Sequence, residues 1–199
     1  KPLGTGVIAT AGKAGLVQPA HLEGAIQSMT RLNRGAAEVL SAFGVRGCTD
    51  ITGFGLMGHG AEMALASGCG IRLRAEVVPL LPGAMEYAEG GHFAGGMSRN
   101  RTFAEGLARD EKFNLHITAS LSKPLVELFY DSETSGGLLF SAPAEQAQSI
   151  RDRFAAKGEP VWEIGEVIPE MAIQVLRTSP RGNRTVTPQG NADAVDHMT

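Results

Sequence analysis

Residues 48–59 constrain the fold more than any other segment, because their pattern predicts a strand, a tight turn and a helix in succession. Asp50 stands where the strand would end, and Gly53 and Gly55 follow it. Both glycines can take positive φ angles and let a backbone or a phosphate come close. An apolar helical pattern begins at Leu56, so the free N–H groups of that helix would face the same point. The segment therefore predicts a carboxylate at a strand tip, in front of a helix N-terminus.

Asp50 has two interpretations. Mg2+ keeps several waters and takes one or two protein carboxylates together with substrate phosphate, which suits an aspartate at such a turn. A single aspartate does not make a site, so its fellow ligands would have to come from another segment. In the alternative, Asp50 caps the turn and the glycines only permit close packing of helix on strand. Spacing alone leaves both interpretations open.

Composition excludes several classes of protein. A chain of 199 residues with 43% hydrophobic content can bury one large core. Its formal net charge of −3, without a basic run, argues against a nucleic-acid surface. No apolar run approaches the length of a membrane span, and no secretory pattern opens the chain, so a cytoplasmic protein is expected. Cys48 and Cys69 have no metal-binding spacing and are expected as buried apolar side chains.

Periodicity along the chain predicts alternating helices and strands. Helices are expected at residues 18–43, 54–67, 83–89, 123–130 and 143–157. Strands are expected at residues 7–10, 45–49, 70–77, 138–141, 161–168 and 171–176, the last two as a closing pair. Residues 112–122 show no clear period, and residues 179–199 are expected to form a polar, mobile tail. The pattern gives a layered α+β domain at residues 1–178.

Two further segments carry polar residues that could contact a ligand. In residues 131–137, Thr134, Ser135, Gly136 and Gly137 could form a concavity of backbone N–H groups that binds an anion. The alternative is an Asp-initiated turn that leads the chain into a strand. Residues 90–100 are expected to form a glycine-rich loop, in which Arg99 and Asn100 are candidate polar contacts. Arg99 is equally well explained as a solvated surface charge.

Other catalytic patterns do not occur in the sequence. No glycine-rich loop has Rossmann or P-loop spacing. No nucleophile elbow accompanies the five scattered histidines. His59 is therefore interpreted as a helix-face residue rather than as a base.

Four motifs resemble, in the same order, those of selenophosphate synthetase (selenide, water dikinase). They are KPLGTGV at residues 1–7, TDITGFGLMGH at 49–59, GGMSRN at 95–100 and DSETSGGLL at 131–139. In that family these motifs lie in the C-terminal half. The resemblance implies a layered α/β/α fold like the C-terminal domain of aminoimidazole ribonucleotide synthetase, with partial ferredoxin-like character.

The resemblance also implies an activity and a site. The family makes selenophosphate, AMP and phosphate from ATP, selenide and water. Asp50 matches one family metal ligand, which implies Mg2+ binding. The neighbouring residues implied to lie near phosphate or nucleotide are Thr49, Thr52, Gly53, Gly55, Thr134, Ser135, Gly136 and Gly137. The family nucleophile, a cysteine or selenocysteine, belongs to the N-terminal half and matches neither Cys48 nor Cys69.

The same resemblance sets expectations about partners. The N-terminal half would bring a lysine, the nucleotide-binding segment and most metal-binding aspartates, so this chain alone is expected to be inactive. Family members are homodimers whose contacts lie largely in the N-terminal halves, so the fragment is expected to be monomeric. The start at Lys1-Pro2 indicates a domain cut from a longer chain.

Two departures and two alternatives accompany the resemblance. Ser132 and Glu133 replace a proline and a glutamine of the family pattern, which is expected to loosen that turn and to add a charge. The chain could instead be the equivalent half of a related enzyme, such as thiamine-monophosphate kinase, a hydrogenase-maturation dehydratase or the purine synthetase. It could also be a paralogue that keeps the fold as a dimer or regulatory module without catalysis.

Overall fold

Helices and short strands alternate along the chain in a computed structural model, which describes residues 1–109 and 113–177. The helices are α1 (Thr5–Lys13), α2 (Pro19–Thr30), α3 (Arg34–Ala42), α4 (Gly55–Ser67), α5 (Ala84–Glu89), α6 (Met97–Arg109), α7 (Lys123–Tyr130) and α8 (Ala147–Ala156). The strands are β1 (Gly47–Asp50), β2 (Gly70–Arg74), β3 (Asn114–Ile117), β4 (Leu138–Ser141), β5 (Gly165–Ile168) and β6 (Ala172–Leu176). Among these residues, no helix is both long and apolar enough to cross a membrane.

The strands form two separate sheets. β1 and β4 make an antiparallel ribbon in which Asp50 pairs with Leu138. The other four strands lie in the order β3-β6-β2-β5, with β2 parallel to β6 and antiparallel to β5. The predicted strands at 161–168 and 171–176 thus contain β5 and β6, but their pairing was wrong, because both pair with β2 instead of with each other.

Helix α4 connects the two sheets and carries the centre of the core. It contacts β1 of the ribbon and β2 and β6 of the larger sheet. Met57 and Ala61 on this helix are fully buried, and they pack in one cluster with Ile71 and Phe129. The other side of the ribbon faces α3 and α8 through a second apolar cluster. The Asp50 turn, which joins β1 to α4, therefore adjoins the apolar cluster that contains Met57 and Ala61.

The first expected strand is wrong, because residues 7–10 belong to α1. Val7 and Ile8 are fully buried on this helix. Two apolar neighbours of this kind suit a buried strand as well as a buried helix, and periodicity does not distinguish them. The helix is stabilised from a distance, since the buried Glu133 carboxylate accepts hydrogen bonds from the N–H groups of Gly4 (2.7 Å) and Thr5 (3.0 Å).

The single helix expected at residues 18–43 is interrupted and forms α2 and α3. Arg31 is extended, with ψ 124°. Its guanidinium binds the Gly158 carbonyl oxygen at 3.0 Å and the Glu159 carboxylate at 2.7 Å. Asn33 donates to the Gly136 carbonyl oxygen at 2.9 Å. These tertiary contacts hold the break, and Leu32 within it is 74% exposed.

Smaller differences concern the edges of elements. β2 ends at Arg74, and a short 3-10 helix follows at Ala75–Val77. The aperiodic residues 112–122 include the edge strand β3. The loop expected at 90–100 ends early, because α6 begins at Met97. Cys48, expected to be buried, is exposed on β1. The tail expected at 179–199 lies outside the described residues.

Candidate metal and phosphate site

Asp50 ends β1 with an exposed side chain. In the described part of the chain, no cation or donor is bonded to its carboxylate. Those residues also contain no cluster of three or more His, Cys, Asp or Glu side chains that could hold a metal ion. Asp50 therefore fits the role of a single carboxylate ligand, of the kind that hydrated Mg2+ accepts alongside phosphate, and other ligands would have to come from elsewhere.

The turn after Asp50 needs a glycine at one of its two glycine positions. Gly55 has φ 68°, and a side-chain carbon there would lie 2.6 Å from the Asp131 carbonyl oxygen. Positive φ and close backbone packing are both expected uses of glycine. Gly53 differs, since it lacks positive φ and nothing lies within 4 Å of where its side chain would be. Of the two glycines that could take positive φ, Gly55 does so and Gly53 does not.

The two glycine-rich turns lie against each other. The Ile51 N–H donates to the Gly137 carbonyl oxygen at 2.8 Å, and the Glu133 N–H donates to the Thr52 carbonyl oxygen at 2.9 Å. Gly136 permits this contact, because a side-chain carbon there would overlap the Ile51 carbonyl oxygen. Segments about 80 residues apart in sequence thus form one surface, which the sequence did not reveal.

Asn100 fastens a third element to these turns. It lies in the first turn of α6 and is buried, which corrects its expected place in a loop. Its side-chain nitrogen donates to the carbonyl oxygens of Gly53 (2.8 Å) and Tyr130 (2.9 Å). Ser132 Oγ donates to the same Gly53 oxygen at 2.8 Å. Asn100 therefore serves the architecture of the site.

Arg99 also lies in the first turn of α6, and not in a loop as expected, but its side chain is exposed. Within residues 1–109 and 113–177 it forms no ion pair. A cation in the first turn of a helix is opposed by the helix dipole. The Arg99 guanidinium and Ser132 Oγ both lie next to Gly96, within 4.0 Å of where a side-chain carbon on that glycine would be. The Arg99 cation is therefore close to the second turn. The position suits contact with an anion held between the helix and the turns.

Ser135 gives the second turn an unusual backbone. It has φ 51°, the left-handed region that side chains other than Asn and Asp rarely adopt. Lys1 Nζ donates to its carbonyl oxygen at 2.7 Å. The preceding Thr134 N–H donates to Thr5 Oγ1 at 2.9 Å, while the Thr134 and Ser135 side chains are exposed. Alternation of right- and left-handed residues is the geometry of anion-binding backbone concavities.

Glu133 anchors this turn, contrary to the expectation that it would loosen it. Its side chain caps α1, and its backbone N–H donates to the Thr52 carbonyl oxygen in the turn after Asp50. Burial raises the pKa of its carboxyl to about 7, although hydrogen bonds from Thr5 and Gly4 oppose the shift. Burial likewise raises the pKa of the neighbouring Asp131 to about 6. Nothing in the sequence around Glu133 indicates that this side chain caps a helix that begins 128 residues earlier.

His59, which the sequence analysis interpreted as a helix-face residue, contacts the turn after Asp50. Its Nε2 lies 3.1 Å from Thr52 Oγ1 and 3.4 Å from the Phe54 backbone nitrogen. Its Nδ1 lies 3.2 Å from the Glu62 carboxylate. Its spacing of seven residues from Thr52 was the available signal, because a side chain in the first turns of a helix can reach back to the preceding turn.

Cys48 is a free, exposed cysteine two residues before Asp50. Partial burial, followed by the nearby Asp50 carboxylate, raises the pKa of its thiol. The protonated thiol is the weaker nucleophile. That neither Cys48 nor Cys69 is the family nucleophile stays a prediction of the resemblance.

A small cleft with a volume of about 90 Å³, open to solvent, adjoins the turns near Lys1. Its lining includes Leu138 and Phe140 of the ribbon and the 40% exposed Trp162. Its one acidic side chain, Glu159, pairs with Arg31 at 2.7 Å. The cleft therefore offers no free carboxylate for a metal ion, and the polar chemistry lies at the turns.

Comparison with known proteins identifies relatives over most of the chain. The family described as AIR synthase related protein, C-terminal domain, matches residues 2–176. Selenide, water dikinase from Pelobacter propionicus is 44% identical over 171 residues, which cover 85% of this chain and 47% of that protein. Selenide, water dikinase 2 from Peptoclostridium acidaminophilum is 39% identical over 158 residues, covering 79% and 43%. The chain therefore spans less than half the length of these relatives.

A solved structure is similar in fold. Thiamine-monophosphate kinase from Stenotrophomonas maltophilia K279a has a TM-score of 0.56 at 15% identity, covering 87% of this chain and 47% of that one. At such identity the likeness concerns the fold alone. The layered α+β fold expected from the sequence is confirmed.

Proposed function

The chain belongs to the family of AIR synthase related proteins, matching their C-terminal domain, and from this premise we propose that it is the C-terminal half of a selenide, water dikinase. That enzyme is an ATP-dependent phosphotransferase that makes selenophosphate, AMP and phosphate from ATP, selenide and water. Identity of 44% with one such protein supports the proposal, as do the four motifs, which hydrogen bonds of the two turns connect to one another. The domain comprises residues 1–178 in this proposal, followed by a polar tail at residues 179–199.

Asp50 is the proposed Mg2+ ligand, and the observation that carries the proposal is its exposed carboxylate, which has no bonded partner among the described residues. Mg2+ bound there would neutralise phosphate charge, which is the main work of a protein in phosphoryl transfer. The remaining metal ligands and the nucleophile belong to the N-terminal half. The chain alone therefore supplies part of a site and turns nothing over.

The residues around Asp50 are proposed to lie near the phosphates of ATP. Gly53 leaves open space next to the turn, and Ser135 sets the backbone of the second turn for an anion. Thr49, Thr52, Gly55, Thr134, Gly136 and Gly137 complete this phosphate-proximal set. Arg99 would bring a cation that has no ion-pair partner among residues 1–109 and 113–177. Asn100 would act through the turns that it holds.

Partners and location follow from the same proposal. ATP and selenide bind with the help of the N-terminal half, and the full-length protein is a homodimer in the cytoplasm. The 199-residue chain alone is a monomer, because the dimer contacts belong to the missing half. The likeness to thiamine-monophosphate kinase does not favour that activity, since it rests on 15% identity. A non-catalytic paralogue remains the alternative that experiment must exclude.

The test is 31P NMR of the full-length parent protein with ATP, Mg2+ and selenide, beside its Asp50→Asn variant. We expect selenophosphate and AMP from the parent, and a loss of about 100-fold or more in the variant. Asp152→Asn is the matched control, because Asp152 is an exposed aspartate on α8. A parent that makes no selenophosphate would favour the non-catalytic paralogue. Full activity in Asp50→Asn would remove Asp50 from the site.

A further inference from the structure

His59 holds the turn after Asp50 from the helix side. It belongs to α4, and its side chain is 13% exposed. The Phe54 N–H precedes α4 as one of the free donors of its N-terminus, and within the described residues His59 is its hydrogen-bond partner. Thr52 Oγ1, two residues after Asp50, contacts the same ring nitrogen. One imidazole therefore contacts two residues of this turn.

These contacts determine the tautomer. A backbone N–H can only donate, so Nε2 must accept from Phe54 and carries no proton. The ring proton then lies on Nδ1, where it donates to the Glu62 carboxylate at 3.2 Å. Because Nε2 is an acceptor, the Thr52 hydroxyl donates its proton to His59 as well.

The direction of the Thr52 proton has a chemical consequence. A hydroxyl that donates to His59 has used its one proton, so its oxygen presents only lone pairs to any further partner. Water bound to a cation is a proton donor, and Mg2+ keeps several waters when it binds a carboxylate. The Thr52 oxygen is therefore prepared to accept from the hydration shell of a cation at Asp50.

We propose that His59 is a positioning residue for the metal site: it fixes the turn through Phe54 and turns the Thr52 hydroxyl into an acceptor for metal-bound water. The inference rests on the proposed role of Asp50. His59 does not touch the metal or substrate in this account. Glu62 acts one step further away by keeping the ring proton on Nδ1.

The first measurement records the tautomer directly in the 199-residue chain. Long-range 1H–15N NMR of the imidazole at neutral pH should show a protonated Nδ1 and a bare Nε2 for His59. The exposed His116 on β3 provides an internal comparison within the same sample. A His59 ring with its proton on Nε2 would overturn the proposal, because Phe54 and Thr52 could not then donate to it.

The second measurement titrates the same chain with Mn2+ alone and follows paramagnetic broadening of the amide signals of residues 51–53. His59→Leu should require about 3- to 10-fold more Mn2+ for equal broadening, as should Thr52→Val. His59→Gln, whose amide oxygen can replace the Nε2 acceptor, should restore the wild-type response. His116→Leu should leave the response unchanged.

The variants also separate positioning from stability. The double variant His59→Leu/Thr52→Val should be no worse than the more impaired single variant, since both substitutions remove the contact between Thr52 and His59. His59→Leu that remains folded and titrates like the wild type would overturn the proposal. Equal titration of Asp50→Asn and wild type would instead contradict the proposed metal ligand. The His59→Leu variant thus tests the positioning role, and the Asp50→Asn variant tests the metal ligand separately.

Discussion

The side-chain nitrogen of Asn100 lies 2.8 Å from the carbonyl oxygen of Gly53, so the start of α6 is fastened to the turn that follows Asp50. The same nitrogen binds the Tyr130 carbonyl oxygen at the end of α7. A single buried amide therefore sets the relative positions of two helices and the candidate metal ligand.

Asn100→Ala should destabilise the chain by about 2 kcal/mol, because it removes the Asn100 donor from the buried Tyr130 carbonyl oxygen and leaves the Gly53 carbonyl oxygen with Ser132 Oγ alone of its two side-chain donors. Urea denaturation followed by circular dichroism measures this loss. Ser98→Ala is the control, since Ser98 lies on the same helix turn and is exposed. An Asn100→Ala variant as stable as Ser98→Ala would show that the amide does not hold the turns.

Arg99→Ala should behave in the opposite way. The side chain is exposed and has no ion-pair partner in the described part of the chain, so the free energy of unfolding should change by less than about 0.5 kcal/mol. In the full-length parent, however, the KM for ATP should rise about 10-fold, because a cation near the phosphates is lost. Steady-state kinetics tests this. An unchanged KM would return Arg99 to the class of solvated surface charges.

The two glycines of the Asp50 turn should respond differently to alanine. Gly55→Ala introduces a side chain at φ 68° and 2.6 Å from the Asp131 carbonyl oxygen, so it should cost more than about 2 kcal/mol in folding. Gly53→Ala meets open space and should be tolerated. Thermal unfolding of both variants decides the point. If Gly53→Ala lowers activity of the parent without lowering stability, the space beside Gly53 belongs to the ligand.

Glu133→Gln tests the buried carboxyl by its pH dependence. The folded state raises the pKa of Glu133 from 4.5 to about 7, so the native protein disfavours the charged form. Its contribution to stability is then fully present below pH 4.5 and is lost as the pH rises through about 7. Glutamine does not titrate. The stability of the wild type relative to Glu133→Gln should therefore fall between pH 5 and pH 8.

Thermal unfolding of both proteins at several pH values measures this difference. Asp131, whose pKa is raised to about 6, remains in both proteins and contributes a loss of the same sign. Only the change in the gap between the two melting temperatures therefore reports on Glu133. A gap that stays constant, or that moves in favour of the wild type at high pH, would contradict the assignment.

Local signals were sufficient for the Asp50 turn and for α4. Strand, carboxylate, glycines and apolar helix follow one another within twelve residues, so each neighbour supports the next. α1 could not be recognised in this way, because its N-terminus is capped by Glu133 from 128 residues away. The break between α2 and α3 depends likewise on Gly136 and Glu159. Tertiary contacts therefore determine where α1 begins and where α2 and α3 separate, and the hydrophobic periodicity of the sequence carries no information about those contacts.

The residues of the candidate site could be picked out from the sequence, but the contacts that bring them together could not. Asp50 and the second turn stood out by composition, and the pairing of their backbones emerged only with the register of β1 and β4. Asn100 was expected to contact a ligand, yet it is buried and holds the turns. His59 was interpreted as a helix-face residue because no nucleophile elbow accompanies the scattered histidines, although its ring reaches Thr52.

The most direct test of the account is the crystal structure of the full-length parent with Mn2+ and a non-hydrolysable ATP analogue, using the anomalous signal of manganese. The account predicts a manganese peak bound by an Asp50 carboxylate oxygen at about 2.1 Å, the distance typical of such hard cations, and beside the nucleotide phosphates. A metal ion held entirely by other residues, with Asp50 facing solvent, would contradict it.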